Sequence, residues 1–142
     1  MMPERDEPYP APNPLNLPRV MIVDDDPAVL TYLAMLMKLL KFIPIQAMNA
    51  AEAMARFKAG EDVDILISDV RMPGSMDGFA LARTVREARP HLPILLISGY
   101  TDITEEESLG LFAEPKVEFI PKPFSKHQLE SKLHMLLVPA KA

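Results

Sequence analysis

The stretch Arg19-Val-Met-Ile-Val-Asp-Asp-Asp-Pro-Ala-Val-Leu30 decides how this chain is read. Its first five residues, apolar after Arg19, form a short strand of the kind buried on both faces of a parallel sheet. Three aspartates follow. Pro27 then opens a segment with Val29, Leu30, Leu33, Leu36, Met37 and Leu40 at helical spacing. Proline suits a first helical turn, where its missing N–H has no partner to lose. Asp26 stands where an N-cap belongs. The spacing predicts a strand over 19–23 and a helix over 27–41, joined by an acidic turn.

The same unit recurs along the chain. Phe42 to Ala47 reads as a second strand, which Pro44 places at a sheet edge. Asn49-Ala-Ala-Glu52 is a capping-box pattern opening a helix that stops at Gly60. Val63 to Ser68 is the most strand-like run, and Asp77 to Arg89 is a helix stopped by Pro90. Pro93 to Ser98 is a fourth strand, followed by a capped helix from Asp102 to about Ala113. Lys116 to Ile120 is the last strand, and Ser125-Lys-His-Gln128 caps a helix to about Leu137. Five βα units predict an α/β fold whose parallel sheet is covered on both faces, with right-handed crossovers. The expected strand order is 2-1-3-4-5, the flavodoxin-like arrangement.

A length of 142 residues fits one domain with a core that needs no staples. The absence of Cys excludes a disulfide scaffold, a Cys-based zinc site and a thiol nucleophile. A net charge of −5 argues against direct nucleic-acid binding through a general basic field. No apolar run approaches the roughly 18 residues of a membrane span, so no membrane insertion is expected. Residues 1–18 carry six of the fifteen prolines and read as a flexible extension. Residues 19–138 form the expected domain, and 139–142 a short tail. The acidic, Pro-rich start is unlike a signal peptide, so a cytoplasmic location is expected.

In doubly wound sheets ligands bind at the C-terminal strand ends, where strand order reverses. The first strand ends in Asp24-Asp25-Asp26, the third in Ser68-Asp69 and the fourth in Ser98-Gly99. The fifth leads into Pro121-Lys122-Pro123, while the outer second strand ends blandly. The first and third strands are neighbours in the expected order, so Asp24, Asp25 and Asp69 should converge. Clustered carboxylates repel unless a cation or protons intervene. Hard oxygen donors with open positions suit Mg²⁺, which pairs readily with phosphate. The Ser98 hydroxyl and the Lys122 ammonium both suit phosphoryl oxygens. Taken singly, each group has an ordinary reading as a turn, cap or surface residue. Their coincidence at one sheet edge points to phosphoryl chemistry.

These segments give the chain its likeness to a known family. Val20-Met-Ile-Val-Asp-Asp-Asp-Pro27, Ile67-Ser-Asp-Val-Arg-Met-Pro-Gly74 with Met76-Asp-Gly78, Leu96-Ile-Ser-Gly99 and Pro121-Lys-Pro-Phe124 resemble the receiver domain of bacterial response regulators. The resemblance covers about Arg19 to Val138. It implies that Asp69 is the phosphoacceptor, assisted by Ser98 and Lys122. It implies a Mg²⁺ or Mn²⁺ bound by Asp25, by Asp69, by the Arg71 main-chain carbonyl and, mainly through water, by Asp24. Ser98 and Phe119 would form the switch, and the Lys122–Pro123 peptide would be cis. The phosphodonor would be a phosphohistidine on a sensor histidine kinase or a histidine phosphotransfer protein. A downstream protein would read the face of the fourth helix, fifth strand and last helix. Such a chain is a signalling phosphoacceptor, not an enzyme, and is expected to be a monomer or weak dimer.

Some residues depart from the family pattern. The loop Met72-Pro-Gly-Ser-Met-Asp-Gly78 is one residue longer than usual, with the extra residue near Gly74-Ser75. Phe119 replaces a frequent Tyr and can also be read as plain core. Ser98 replaces a more frequent Thr, and Arg71 and Tyr100 flank the site. The methionines read as filling in the core or on helix faces, and His91, His127 and His134 as surface. The sequence ends within a few residues of the last expected helix, and the expectation is a stand-alone regulator, with a receiver from a hybrid histidine kinase as the alternative. A haloacid-dehalogenase-like phosphatase with Asp24 as nucleophile leaves Asp69 without a role. A degenerate receiver that only binds partners would retain the fold without the chemistry.

Overall fold

The third strand sets the frame, because all five residues of Ile65–Asp69 are buried. A strand sealed on both faces needs a layer on each side. The computed structural model describes residues 17–72, 76–99 and 116–137. Their elements are β1 (Arg19–Val23), α1 (Pro27–Leu39), β2 (Ile43–Ala47), α2 (Ala50–Lys58), β3 (Ile65–Asp69), α3 (Gly78–Ala88), β4 (Ile94–Ser98), β5 (Val117–Pro121) and α4 (Lys126–Leu137). All strand pairs are parallel, in the order β2-β1-β3-β4-β5. This is the expected flavodoxin-like sheet, with Pro44 on the outer strand where its missing donor is tolerated. The helix expected over 102–113, Tyr100 and the extra loop residue near Gly74-Ser75 lie outside the described residues. So do 1–16 of the extension and the 139–142 tail.

Alternation along the strands divides the core in two. Met21, Val23, Leu66 and Leu96 join Ala53, Phe57, Phe79 and Val85 beneath α2 and α3. Ile22, Ile67, Leu95 and Ile97 join Leu33, Met37, Leu129 and Leu133 beneath α1 and α4. Each fully buried Leu or Ile contributes roughly 1.5–3 kcal/mol from burial.

The helix ends follow local chemistry. Asp26 accepts the Ala28 N–H, and Asn49 accepts the Glu52 N–H. Ser125 and Gln128 exchange bonds in a capping box, as expected. Gly60 (φ 83°) ends α2 in the left-handed conformation that favours glycine. Helix α1 is shorter than its apolar spacing predicts. Lys41 turns left-handed (φ 72°), its N–H bonds Lys38 O, and the Phe42 N–H reaches Met37 O. This is a Schellman stop made without glycine, so no residue type announced it.

Strand β3 begins at Ile65 and runs through Asp69, a shift from the expected 63–68. Met37 is in the core beneath α1 and α4, and Met54 packs against the core beneath α2 and α3, whereas Met35 and Met48 are exposed rather than filling gaps. His91, His127 and His134 are exposed, as expected. No helix among the described residues is long and apolar enough to cross a membrane.

Candidate functional site

Strands β1 and β3 are direct neighbours, paired from Val20 with Ile65 to Val23 with Ser68. That register brings the residues just past β1 beside the end of β3. Asp24, Asp25 and Asp69 each offer an oxygen, and the three atoms lie within 4.8 Å of one another. Asp24 and Asp69 are buried, and Asp25 is exposed. The Asp24 N–H donates to Ala47 O on β2, and its Oδ1 accepts the Asp26 N–H at 2.9 Å. Asp26 is occupied as the α1 cap, which separates its role from those of the other two aspartates.

Lys122 enters from the end of β5. Its N–H donates to Ser98 O, and its Nζ lies 3.1 Å from Asp69 Oδ1. The Lys122–Pro123 peptide is cis, in line with the resemblance. Ser98 is buried as the last residue of β4. Arg71 is exposed two residues beyond Asp69. Phe119 stands apart from the acidic cluster. It is packed in the core, its ring 6.1 Å from that of Phe79.

The charges do not cancel, since one ammonium faces three carboxylates. Burial holds the Asp24 carboxyl above its usual range. Asp69 and Asp25 push in the same direction, against the Asp26 N–H and Lys122. Hard, convergent oxygen donors in a negative pocket suit a small divalent cation. The donor set therefore fits one.

Residues 20–134 match the family described as response regulator receiver domain. The chain belongs to the response-regulator receiver family.

The receiver is 35% identical over 112 residues to the C4-dicarboxylate transport transcriptional regulatory protein DctD of Rhizobium meliloti. It is 33% identical over 119 residues to the sensor kinase CckA of Brucella abortus. These matches cover 79% and 83% of this chain, but only 24% and 12% of those two proteins. Among solved structures, it superposes on the Vibrio cholerae chemotaxis protein CheY4 with TM-score 0.75 and 26% identity. That match covers 85% of this chain and 99% of the other. Receivers are signalling phosphoacceptors rather than enzymes, and membership implies a histidine kinase as partner.

Three features of this receiver have placements that the sequence reading did not anticipate. Val29, Tyr32, Leu33, Ile97 and Phe124 line a cleft of about 470 Å³ that also borders Asp24 and Lys122. Gly78 sits against the backbone of β3. Ser68 is fully buried inside an otherwise apolar run. Only the last had a readable signal, a lone hydroxyl in Ile65-Leu-Ile-Ser68.

The raised Asp24 pKa carries a stability consequence. Between 3.8 and its folded value, the folded state binds the proton more tightly than the unfolded state. The ionised carboxylate therefore costs stability near neutral pH, and the cost fades as pH falls through that window. Asp24→Asn removes the cost while its amide oxygen can still accept the Asp26 N–H. Calorimetry of the metal-free protein should show a higher Tm for Asp24→Asn at pH 7, by about 3–5 °C per kcal/mol relieved. The gap should close as pH approaches 4. An equal gap at both pH values would contradict this origin.

Proposed function

We propose that this receiver takes a phosphoryl group onto Asp69 from a phosphohistidine of a sensor histidine kinase or histidine phosphotransfer protein. The observation that carries the reading is the placement of Asp69. Its carboxylate is buried at the end of a central strand, among two further carboxylates, with Lys122 Nζ 3.1 Å from one oxygen. Asp24, Asp25, Asp69 and the Arg71 main-chain carbonyl would hold Mg²⁺ or Mn²⁺. When bound, that ion offsets charge on the phosphoryl oxygens.

A carboxylate oxygen of Asp69 forms the new bond to phosphorus as the bond to the donor imidazole nitrogen breaks. The electron pair leaves with the imidazole, which takes up a proton. Lys122 stabilises negative charge on the equatorial oxygens, and Ser98 supplies a hydroxyl to one of them. Little else is required, because phosphoryl transfer depends chiefly on positioning and electrostatics. The phosphorylated form then shifts a two-state equilibrium, with Ser98 and Phe119 as the switch pair. Phe119 is in its inward position in this structure. A partner protein reads the shifted state at a face that includes β5 and α4.

The test is intact-mass spectrometry after treatment with a small phosphodonor and Mg²⁺. One phosphoryl group per chain, on Asp69, is the expected result.

The phosphodonor's approach is favoured along α1. Tyr32, Met35 and Leu39 are 48%, 53% and 61% exposed, and their spacing makes one stripe. Tyr32 also lines the cleft bordering Asp24 and Lys122, so a helix lying on the stripe reaches the site. Met35→Glu should lower labelling by a sub-saturating phosphohistidine protein about tenfold, the effect of losing one anchor of about 1.4 kcal/mol. Labelling by the small donor should be unchanged. A parallel fall in both rates would place the effect in the site itself.

A further inference from the structure

Among the described residues, four polar side chains are buried: Asp24, Ser68, Asp69 and Ser98. Three of them belong to the acidic edge, and Ser68 does not. It alternates with Asp69 along β3, so its side chain stands on the opposite face of the sheet. Its register partners there, Val23 on β1 and Leu96 on β4, are core residues beneath α2 and α3. Stability gives no reason for a hydroxyl in that layer. An alanine would suit it, and a buried hydroxyl costs free energy unless it is bonded.

The hydroxyl is bonded, and its partner is informative. Ser68 Oγ donates to the main-chain carbonyl of Asp69 at 3.0 Å. The same carbonyl is the nearest atom that a Cβ on Gly78 would meet, and Val70 Cα would follow at 2.7 Å. One peptide is thus bonded from Ser68 and walled by the Gly78 backbone. The orientation of that peptide sets the direction in which the Asp69 Cα–Cβ bond points. A carboxylate that must attack in line is sensitive to such an angle.

We propose that Ser68 is a positioning residue, whose hydroxyl fixes the Asp69 peptide from the far side of the sheet and so aims the acceptor carboxylate. The inference rests on Asp69 being the phosphoacceptor.

The experiment compares wild type, Ser68→Ala and Ser68→Thr in the full chain. Initial rates of labelling by a small phosphodonor are measured at saturating Mg²⁺, with Tm and the Asp69 carbonyl ¹³C shift alongside. Ser68→Ala should label about fivefold more slowly, the consequence of losing one ordinary hydrogen bond from the aligned state. Its Tm should stay within about 2 °C of wild type, because the lost hydrogen bond is largely offset by no longer burying a hydroxyl. The Asp69 carbonyl resonance should move as the bond is lost. Ser68→Thr keeps the hydroxyl and should recover the wild-type rate. Ser68→Ala labelling at the wild-type rate would overturn the inference alone. A rate that falls only in step with Tm, without rescue by Ser68→Thr, would also overturn it. A wild type that takes no label on Asp69 would overturn the proposed function and this inference together.

Discussion

Asp69→Asn is expected to lose the phosphoryl adduct that the wild type acquires from a small phosphodonor and Mg²⁺. The amide has no anionic oxygen to attack phosphorus, so labelling should fall by about a thousandfold or more, below detection in an intact-mass measurement. Loss of fold cannot account for such a result. The substitution removes one of three carboxylates crowded within 4.8 Å, so the metal-free Tm should hold or rise. An adduct that survives Asp69→Asn would move the nucleophile to Asp24, the other buried carboxylate of the cluster. That outcome would remove the central claim of the proposed function. Absence of any adduct in the wild type, with no response to beryllofluoride, would leave a receiver fold that acts only by binding.

Gly78→Ala is expected to be strongly destabilising, although it adds a single methyl group. By propensity alone the change should help, since alanine is about 1 kcal/mol better than glycine inside a helix. The structure reverses the sign. A Cβ at position 78 would strike the Asp69 carbonyl oxygen and come within 2.7 Å of Val70 Cα. Both are backbone atoms at the end of the central strand, which cannot rotate away as a side chain can. The Gly78 N–H also bonds Val70 O at 2.9 Å, so α3 cannot move off without giving up that bond. A loss of about 3 kcal/mol follows, at the upper end for overpacking, with Tm lower by roughly 10 °C. Labelling of Asp69 should slow as well, because the displaced peptide carries the acceptor. Thermal unfolding and the labelling assay together check both parts. A Tm equal to or above wild type would show that the strand end yields more readily than the contact implies.

These two sites differ in how far they could be read in advance. Asp69 was legible because a carboxylate ending an apolar run is unusual, and because Asp24, Ser98 and Lys122 sit at equivalent places in other units. Alternation of short apolar runs with helical spacing was enough for the parallel sheet and its order, since few topologies satisfy right-handed crossovers. Asp26, Asn49 and Ser125 announced their helix starts, because capping is a bond between residues close in the chain.

Other features depended on atoms far apart in the chain. The stop of α1 is a Schellman turn through Lys41 that leads Phe42 into the core, where local chemistry offered no glycine. Strand β3 carried Asp69 inside the ladder, where it pairs with Ile97. Gly78 fell inside the helix expected over 77–89, and nothing in that pattern showed that α3 would bring its backbone against the end of β3. The exposed apolar stripe of α1 could not be told from its buried one, because both faces of that helix are apolar and only the sheet says which is covered. Local bonds and periodicity are written residue by residue, so they can be read from the chain alone. Close approach of two backbones is a property of the packed layers, and no residue type spells it out.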